Sequence, residues 1–346
     1  MRLPPPPRIV RRLVLAPLAL ALSLGLIVAS PVLVVTAAIV DLVAGGQGRS
    51  VRLTAFAVAY LGFEVIGLLA MFGLWVVGAA GLRLRTPRMQ DAHYRFFRWW
   101  LRGIHRAGAG LFRLRIRIED QPPPQQGPVL VFSRHAGPGN SLMLLGTLMI
   151  DYRRRPRVVA LDKLQWEPLF DILGNRLPNR FIRHDPSRRE HYVQAIGELA
   201  AGIGTRDAFV LFPEGHDFTH RLRRRAIAHL RKRGHQNEAE KAERMPHVLP
   251  PRHGGVMAAV TSAPDADVVF VAHTVLENLG SLKQFWDRIP LDGPVFARYW
   301  RIPADEVPRQ REELIEWLFS WWATIDRWIE RTRSRPRADA AERRRR

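Results

Sequence analysis

Residues 129–141 read Val-Leu-Val-Phe-Ser-Arg-His-Ala-Gly-Pro-Gly-Asn-Ser. Val129–Phe132 is a short unbroken apolar run, rich in β-branched and aromatic side chains, the pattern of a strand buried on both faces. His135 stands just past its end, and Gly137, Pro138 and Gly139 turn the chain into a helical pattern over Ser141–Tyr152. A strand, a Gly/Pro turn and a helix in that order form one half of a parallel crossover unit. The same grammar recurs outward from it. Further β-rich runs stand at Phe112–Ile118, Val158–Leu161, Ala208–Phe212 and Val268–Ala272, and helical patterns cover Arg188–Ile203 and the polar, Arg-rich Arg221–Arg244. The expected fold class is therefore α/β, a mostly parallel sheet flanked by helices. Gln121–Gln126 (QPPPQQ) reads as a loop joining two strands. Near the C-terminus, Leu314, Trp317, Leu318, Trp321, Ile325, Trp328 and Ile329 fall on one helical stripe, which reads as core ahead of membrane anchor.

The stretch before this domain is of another kind. Leu13–Val40 carries no charge, and Leu53–Leu82 is interrupted only by Glu64. Each is longer than the roughly 20 residues that cross a bilayer, which predicts an N-terminal transmembrane helical hairpin, with a re-entrant or interfacial pair as the alternative. The first run is too long for the apolar part of a simple signal peptide. Arg2, Arg8, Arg11 and Arg12 precede the pair and Arg83, Arg85, Arg88, Arg95 and Arg98 follow it, whereas the intervening loop has only Arg49 and Arg52 against Asp41. By the positive-inside rule both termini are expected in the cytoplasm, with the protein in a bacterial inner (plasma) membrane. The expected domains are 1–88 (membrane anchor), 89–332 (cytoplasmic domain) and 333–346 (a basic, disordered tail). Residues 89–110 read as a basic, aromatic amphipathic helix that suits either the headgroup layer or the core.

Over its 346 residues the chain has formal net charge +21, and Lys163, Lys232, Lys241 and Lys283 are its only lysines among 53 basic residues. Such a balance calls for an anionic neighbour, nucleic acid or phospholipid. The Arg221–Arg244 stretch lacks aromatic stacking residues, so anionic membrane lipid is the expected partner and no specific nucleic acid is. No cysteine is present, which excludes disulfides, thiolate zinc sites and a cysteine nucleophile.

Open α/β sheets place their sites in loops after the carboxyl ends of strands. Two such loops carry chemistry: Ser133–Ser141, with His135 placed as a general base, and Pro213-Glu214-Gly215-His216-Asp217. His216 and His220 stand four apart but lack a clear third and fourth metal ligand, so no metal is expected. Met143 stands where a nucleophile elbow needs its second glycine, and no phosphate-binding Gly-x-x-x-x-Gly-Lys loop occurs.

Taken in order, these blocks resemble the glycerophospholipid acyltransferase family, which includes the 1-acylglycerol-3-phosphate acyltransferases. The family's histidine, four residues and aspartate are matched by His135, Ala136–Gly139 and Asn140. Its Phe-Ile-x-Arg type segment is matched by Arg180–Arg183, and its Phe-Pro-Glu-Gly-Thr-Arg by Phe212–Gly215 followed by His216-Asp217. Val248–Gly255 is similar to a leucine-proline-arginine-glycine stretch of one branch, and Val268–Thr274 to the family's last apolar strand. The likeness spans about residues 125 to 275. It implies transfer of a fatty acyl group from acyl-CoA or acyl carrier protein, as substrate and not cofactor, to the hydroxyl of a lysophospholipid in phospholipid synthesis. His135 would be the base, Arg183 the phosphate anchor, and Glu214 with Gly215 the acceptor clamp. Two departures stand out: Asn140 brings no charge to support an imidazolium, and His216-Asp217 replaces Thr-Arg. Asp217 is therefore an alternative partner for His135. If neither serves, the chain is a lipid-binding pseudoenzyme; a membrane-tethered nucleic-acid binder is the remoter rival.

Overall fold

The structure, a computed structural model, describes residues 4–119, 127–135, 137–183, 189–274, 285–291 and 293–343. Its centre is a seven-stranded sheet: β1 (Ile116–Glu119), β2 (Val129–Ser133), β3 (Arg155–Leu161), β4 (Arg180–Ile182), β5 (Asp207–Leu211), β6 (Asp267–His273) and β7 (Val295–Ile302), in the order β1-β7-β6-β2-β5-β3-β4. The pairs from β6 through β2, β5 and β3 to β4 are parallel, β7 runs antiparallel to β6, and β1 is parallel to β7. Every residue of β2 and β5 is buried, the physical reason their apolar runs are unbroken. One consequence matters for function. Five parallel strands bring their carboxyl ends, and the loops that follow, to a single edge.

Two layers cover the sheet. On one face, α7 (Arg189–Ala200), α8 (His220–Lys232), α9 (Gln236–Glu243), α10 (His253–Ser262) and α11 (Arg311–Arg343) bury Phe132, Phe209 and Phe270. On the other, α4 (Pro87–Phe112), α5 (Pro138–Gly146) and α6 (Pro168–Arg176) cover Val129, Val131, Val210 and Val271. The aromatic face of α4 is core: Tyr94, Phe97, Trp100 and Leu101 are all buried. The C-terminal stripe is core too, with Leu314, Leu318, Ile325 and Ile329 fully buried and Trp328 nearly so.

Some expectations need correcting. Phe112 closes α4 and the strand begins only at Ile116, because Arg113 takes a left-handed conformation that ends the helix. Arg221–Arg244 is two helices, broken at Gly234 with φ +79°. Helix α11 runs on to Arg343, past the boundary expected at 333. The Gln121–Gln126 loop lies outside the described residues.

The apolar N-terminus forms α1 (Arg8–Val28), α2 (Ser30–Val43) and α3 (Arg49–Val77). Pro31 lacks the N–H that would continue one long helix, so α1 and α2 break at Ala29. Asp41 accepts the N–H groups of Ser50 and Val51 at 2.9 and 3.0 Å and so caps α3. Helix α3 packs on both preceding helices and lies along α4. Gly103 permits that approach: a Cβ there would sit 2.3 Å from the Phe63 ring.

Both ends of this bundle touch the domain. At one end Arg11 donates to Asp171 at 2.9 Å and to Gln165 at 3.0 Å. At the other, Arg49 donates to the Ile289 carbonyl at 3.0 Å, Arg52 to the Leu111 carbonyl at 2.7 Å, and Phe56 packs on Phe112 with centroids 4.8 Å apart. Helices α1 and α3 are each long and apolar enough to cross a membrane, and the bundle's outer face leaves Leu22, Val28, Val32, Leu42, Phe72 and Val77 exposed.

Candidate active site

His135 follows the last residues of β2, at the carboxyl edge of the sheet. Phe212, just past β5, stacks on its imidazole with centroids 4.5 Å apart and planes at 30°. The His135 carbonyl accepts the Phe218 N–H at 3.0 Å, so the loops after β2 and β5 are sewn together. The Asp217 carboxylate reaches over from the second loop, its Oδ1 3.3 Å from His135 Nδ1. Burial lowers the pKa of His135, Asp217 opposes that shift, and the charge of Lys163 adds to it. Burial thus favours the neutral imidazole, whose Nδ1 faces the Asp217 carboxylate.

Asn140 is elsewhere. It is 3% exposed in the first turn of α5, and its side-chain amide donates to the Arg134 carbonyl at 3.0 Å. His273 donates to the same carbonyl at 3.2 Å. Asn140 thus braces the backbone beside His135. Arg134 is itself fully buried and donates to the carbonyls of His273 and His247 at 3.0 and 2.7 Å.

The loop after β5 turns at Gly215, whose φ of +71° suits glycine. A Cβ there would also meet the Arg252 guanidinium at 3.1 Å. Glu214 is 2% exposed and accepts hydrogen bonds from Trp322 Nε1 at 3.3 Å and from the backbone of Leu249 and His135. Burial pushes its carboxyl up to about 8, against the pull of Arg134. At that depth Glu214 ties loops to α11 and has no face for a ligand. His216 lies half-buried between Gly215 and Asp217. Among the described residues no three metal-ligating side chains gather.

Arg183 follows β4 and is half-exposed, its Nε donating to Asp162 at 2.6 Å. Three strand spacings separate β4 from β2, about 14 Å. Two cations that the sequence does not single out lie closer in. Lys163, exposed after β3, acts electrostatically on His135, and Arg252 lies over Gly215. A lysine at a strand end in an arginine-dominated chain is the one signal that could have flagged Lys163.

No protein-family model matches the chain, and no curated protein does. Among solved structures it is similar to the crystal structure of the 1-acyl-sn-glycerophosphate (LPA) acyltransferase PlsC from Thermotoga maritima. Identity is 14% and the TM-score 0.47, over 79% of this chain and 98% of that one. At that level of likeness, the residues of the site must carry any functional argument.

Proposed function

We propose that this chain is a membrane-surface acyltransferase that moves a fatty acyl group from a thioester, acyl-CoA or acyl carrier protein, to the hydroxyl of a lysophospholipid. The observation that carries the reading is His135 Nδ1 at 3.3 Å from Asp217, on the edge where a parallel sheet gathers its loops. His135 Nε2 takes the acceptor's proton as its oxygen attacks the thioester carbonyl. The C–S bond breaks as the tetrahedral intermediate collapses, and the imidazolium returns the proton to the leaving thiolate. Lys163 and Arg252 supply positive charge near the base, and Arg183 lies farther out toward an acceptor phosphate. The pseudoenzyme alternative rests on Asn140, and the Asp217 carboxylate 3.3 Å from Nδ1 favours the enzyme over it.

The exposed apolar face of the N-terminal helices, the exposed Leu164 and Trp166 beside Lys163, and the +21 charge all support a site held at an anionic lipid surface. The test is transfer of labelled acyl from acyl-CoA to lysophosphatidic acid by the purified full chain. Activity that His135→Ala abolishes is the expected result, and activity that survives it overturns the mechanism.

A further inference from the structure

Phe212 stands where β5 gives way to the loop that carries Asp217, and its backbone is held from both sides. Leu211 before it ends β5, and the Phe212 carbonyl accepts the Gly215 N–H at 3.0 Å. Pro213 after it has a restricted φ, and the Pro213 carbonyl accepts the Arg252 N–H at 2.9 Å. From this fixed backbone the half-buried ring lies flat against the His135 imidazole, centroids 4.5 Å apart and planes at 30°. In the core nearby, Trp100 meets Phe170 at 83°, edge to face. The difference matters, because an aromatic ring is negative on its face and positive at its edge.

Three other groups act on His135. Asp217 approaches Nδ1 from the loop after β5, Lys163 acts from the turn after β3, and Glu214 accepts the backbone N–H. A carboxylate near one nitrogen leaves the imidazole free to swing about that point, whereas a ring stacked on its face does not. Burial also disfavours charge on the imidazole, yet a base becomes charged when it takes a proton. A cation over an aromatic face, within about 6 Å of the centroid, is attracted by it. We propose that Phe212 is a positioning residue. Its ring holds the plane of His135 with Nδ1 toward Asp217, and its face supports the imidazolium that forms when His135 takes the acceptor's proton. The source of that proton rests on the acyl-transfer reading, whereas the stack and its preference for the charged imidazole do not.

Nuclear magnetic resonance titration of the detergent-solubilised full chain, carrying isotope-labelled histidine, tests this without an activity assay. The chain has 12 histidines, and the His135 signal is assigned by its loss in His135→Gln. Phe212→Tyr keeps the aromatic face, and Phe212→Leu keeps apolar bulk alone. Phe212→pentafluorophenylalanine, inserted by stop-codon suppression, keeps the shape but reverses the polarity of the face. The pKa of His135 should be highest in the wild type and the Tyr variant, about half a pH unit lower with Leu, and lower still with the fluorinated ring. A ring that only filled space would give no such order. Equal values in the wild type, Leu and fluorinated proteins overturn the proposal, as does a Tyr variant that behaves like Leu. In the transfer assay Phe212→Leu should lower kcat roughly tenfold, a fraction of what a positioned base supplies, with KM for both substrates held and Tyr restoring the rate. A raised KM with kcat unchanged would make Phe212 a substrate contact and overturn the positioning role. The pKa order in a wild-type chain that transfers no acyl group would uphold the stack and sink the acyl-transfer reading alone.

Discussion

A histidine base works only in one tautomer, and a hydrogen-bonded carboxylate at the other nitrogen selects it. In this chain the candidate carboxylate is Asp217, on a loop that follows a different strand, with its Oδ1 3.3 Å from His135 Nδ1. Asp217→Asn should lower kcat by roughly two to four decades, the upper figure being the Asp-to-Asn loss known from serine proteases. The same change removes the influence that raises the His135 pKa. The acidic limb of kcat/KM against pH should therefore move to lower pH in the variant, and a limb that stays in place would make Asp217 a bystander. Asn140→Asp looks like a repair when judged by the family pattern, yet it should damage. The new carboxylate would lack the donor that now serves the Arg134 carbonyl and would face that oxygen while nearly buried. A loss of about 1–3 kcal/mol of stability is expected, read by denaturant titration, with no gain in rate.

The loop after β5 and helix α11 depend on Glu214, which takes N–H groups from Trp322, Leu249 and His135. Its carboxyl, raised to about 8 by burial, binds a proton in the folded state that the unfolded chain gives up near its ordinary 4.5. The contribution of that proton is fully present below about 4.5 and is lost as pH rises toward 8. Glu214→Gln should flatten this fall while preserving the fold, whereas Glu214→Ala, which leaves three donors unmatched, should destabilise at every pH. Denaturant midpoints at pH 5.5 and 8 for the three proteins decide the matter, and parallel slopes for wild type and Gln variant would refute the shifted carboxyl. Burial also explains what could be read from sequence. β2, β5 and β6 are legible because both of their faces are covered, which leaves unbroken apolar runs. β4 spans three residues, and β7 mixes Arg298 and Arg301 with its aromatics, so neither carries such a run. The blocks around His135 and Glu214 are legible as well, and with them Asn140 and Asp217 as rival partners for His135, but the choice between the two, and the inward turn of Asn140 and Glu214, depend on how two loops meet across adjacent strands.

At the scale of the whole molecule the question is how an apolar bundle and a cation-rich domain share one membrane. A crossing hairpin and an interfacial pair have the same sequence signature, since length and hydropathy do not record where the far loop goes. Tertiary contacts bear on it. The turn that joins α2 to α3 is fixed through Arg49 and Arg52 to the Ile289 and Leu111 carbonyls, and the opposite end is fixed through Arg11 to Asp171. A bundle clamped at both ends to one domain is expected to lie with its exposed apolar side in a single leaflet. The absence of cysteine makes this directly testable, because any introduced thiol is unique. Gln47, in the turn before α3, and Thr205, just before β5, are both exposed. Gln47→Cys and Thr205→Cys should react with a membrane-impermeant maleimide from the same side of sealed vesicles, and vesicles of inverted orientation should reverse both reactions together. Labelling of the Gln47→Cys variant from one side and of the Thr205→Cys variant from the other would establish the crossing hairpin and would require the Arg49 and Arg52 hydrogen bonds to be broken in the membrane.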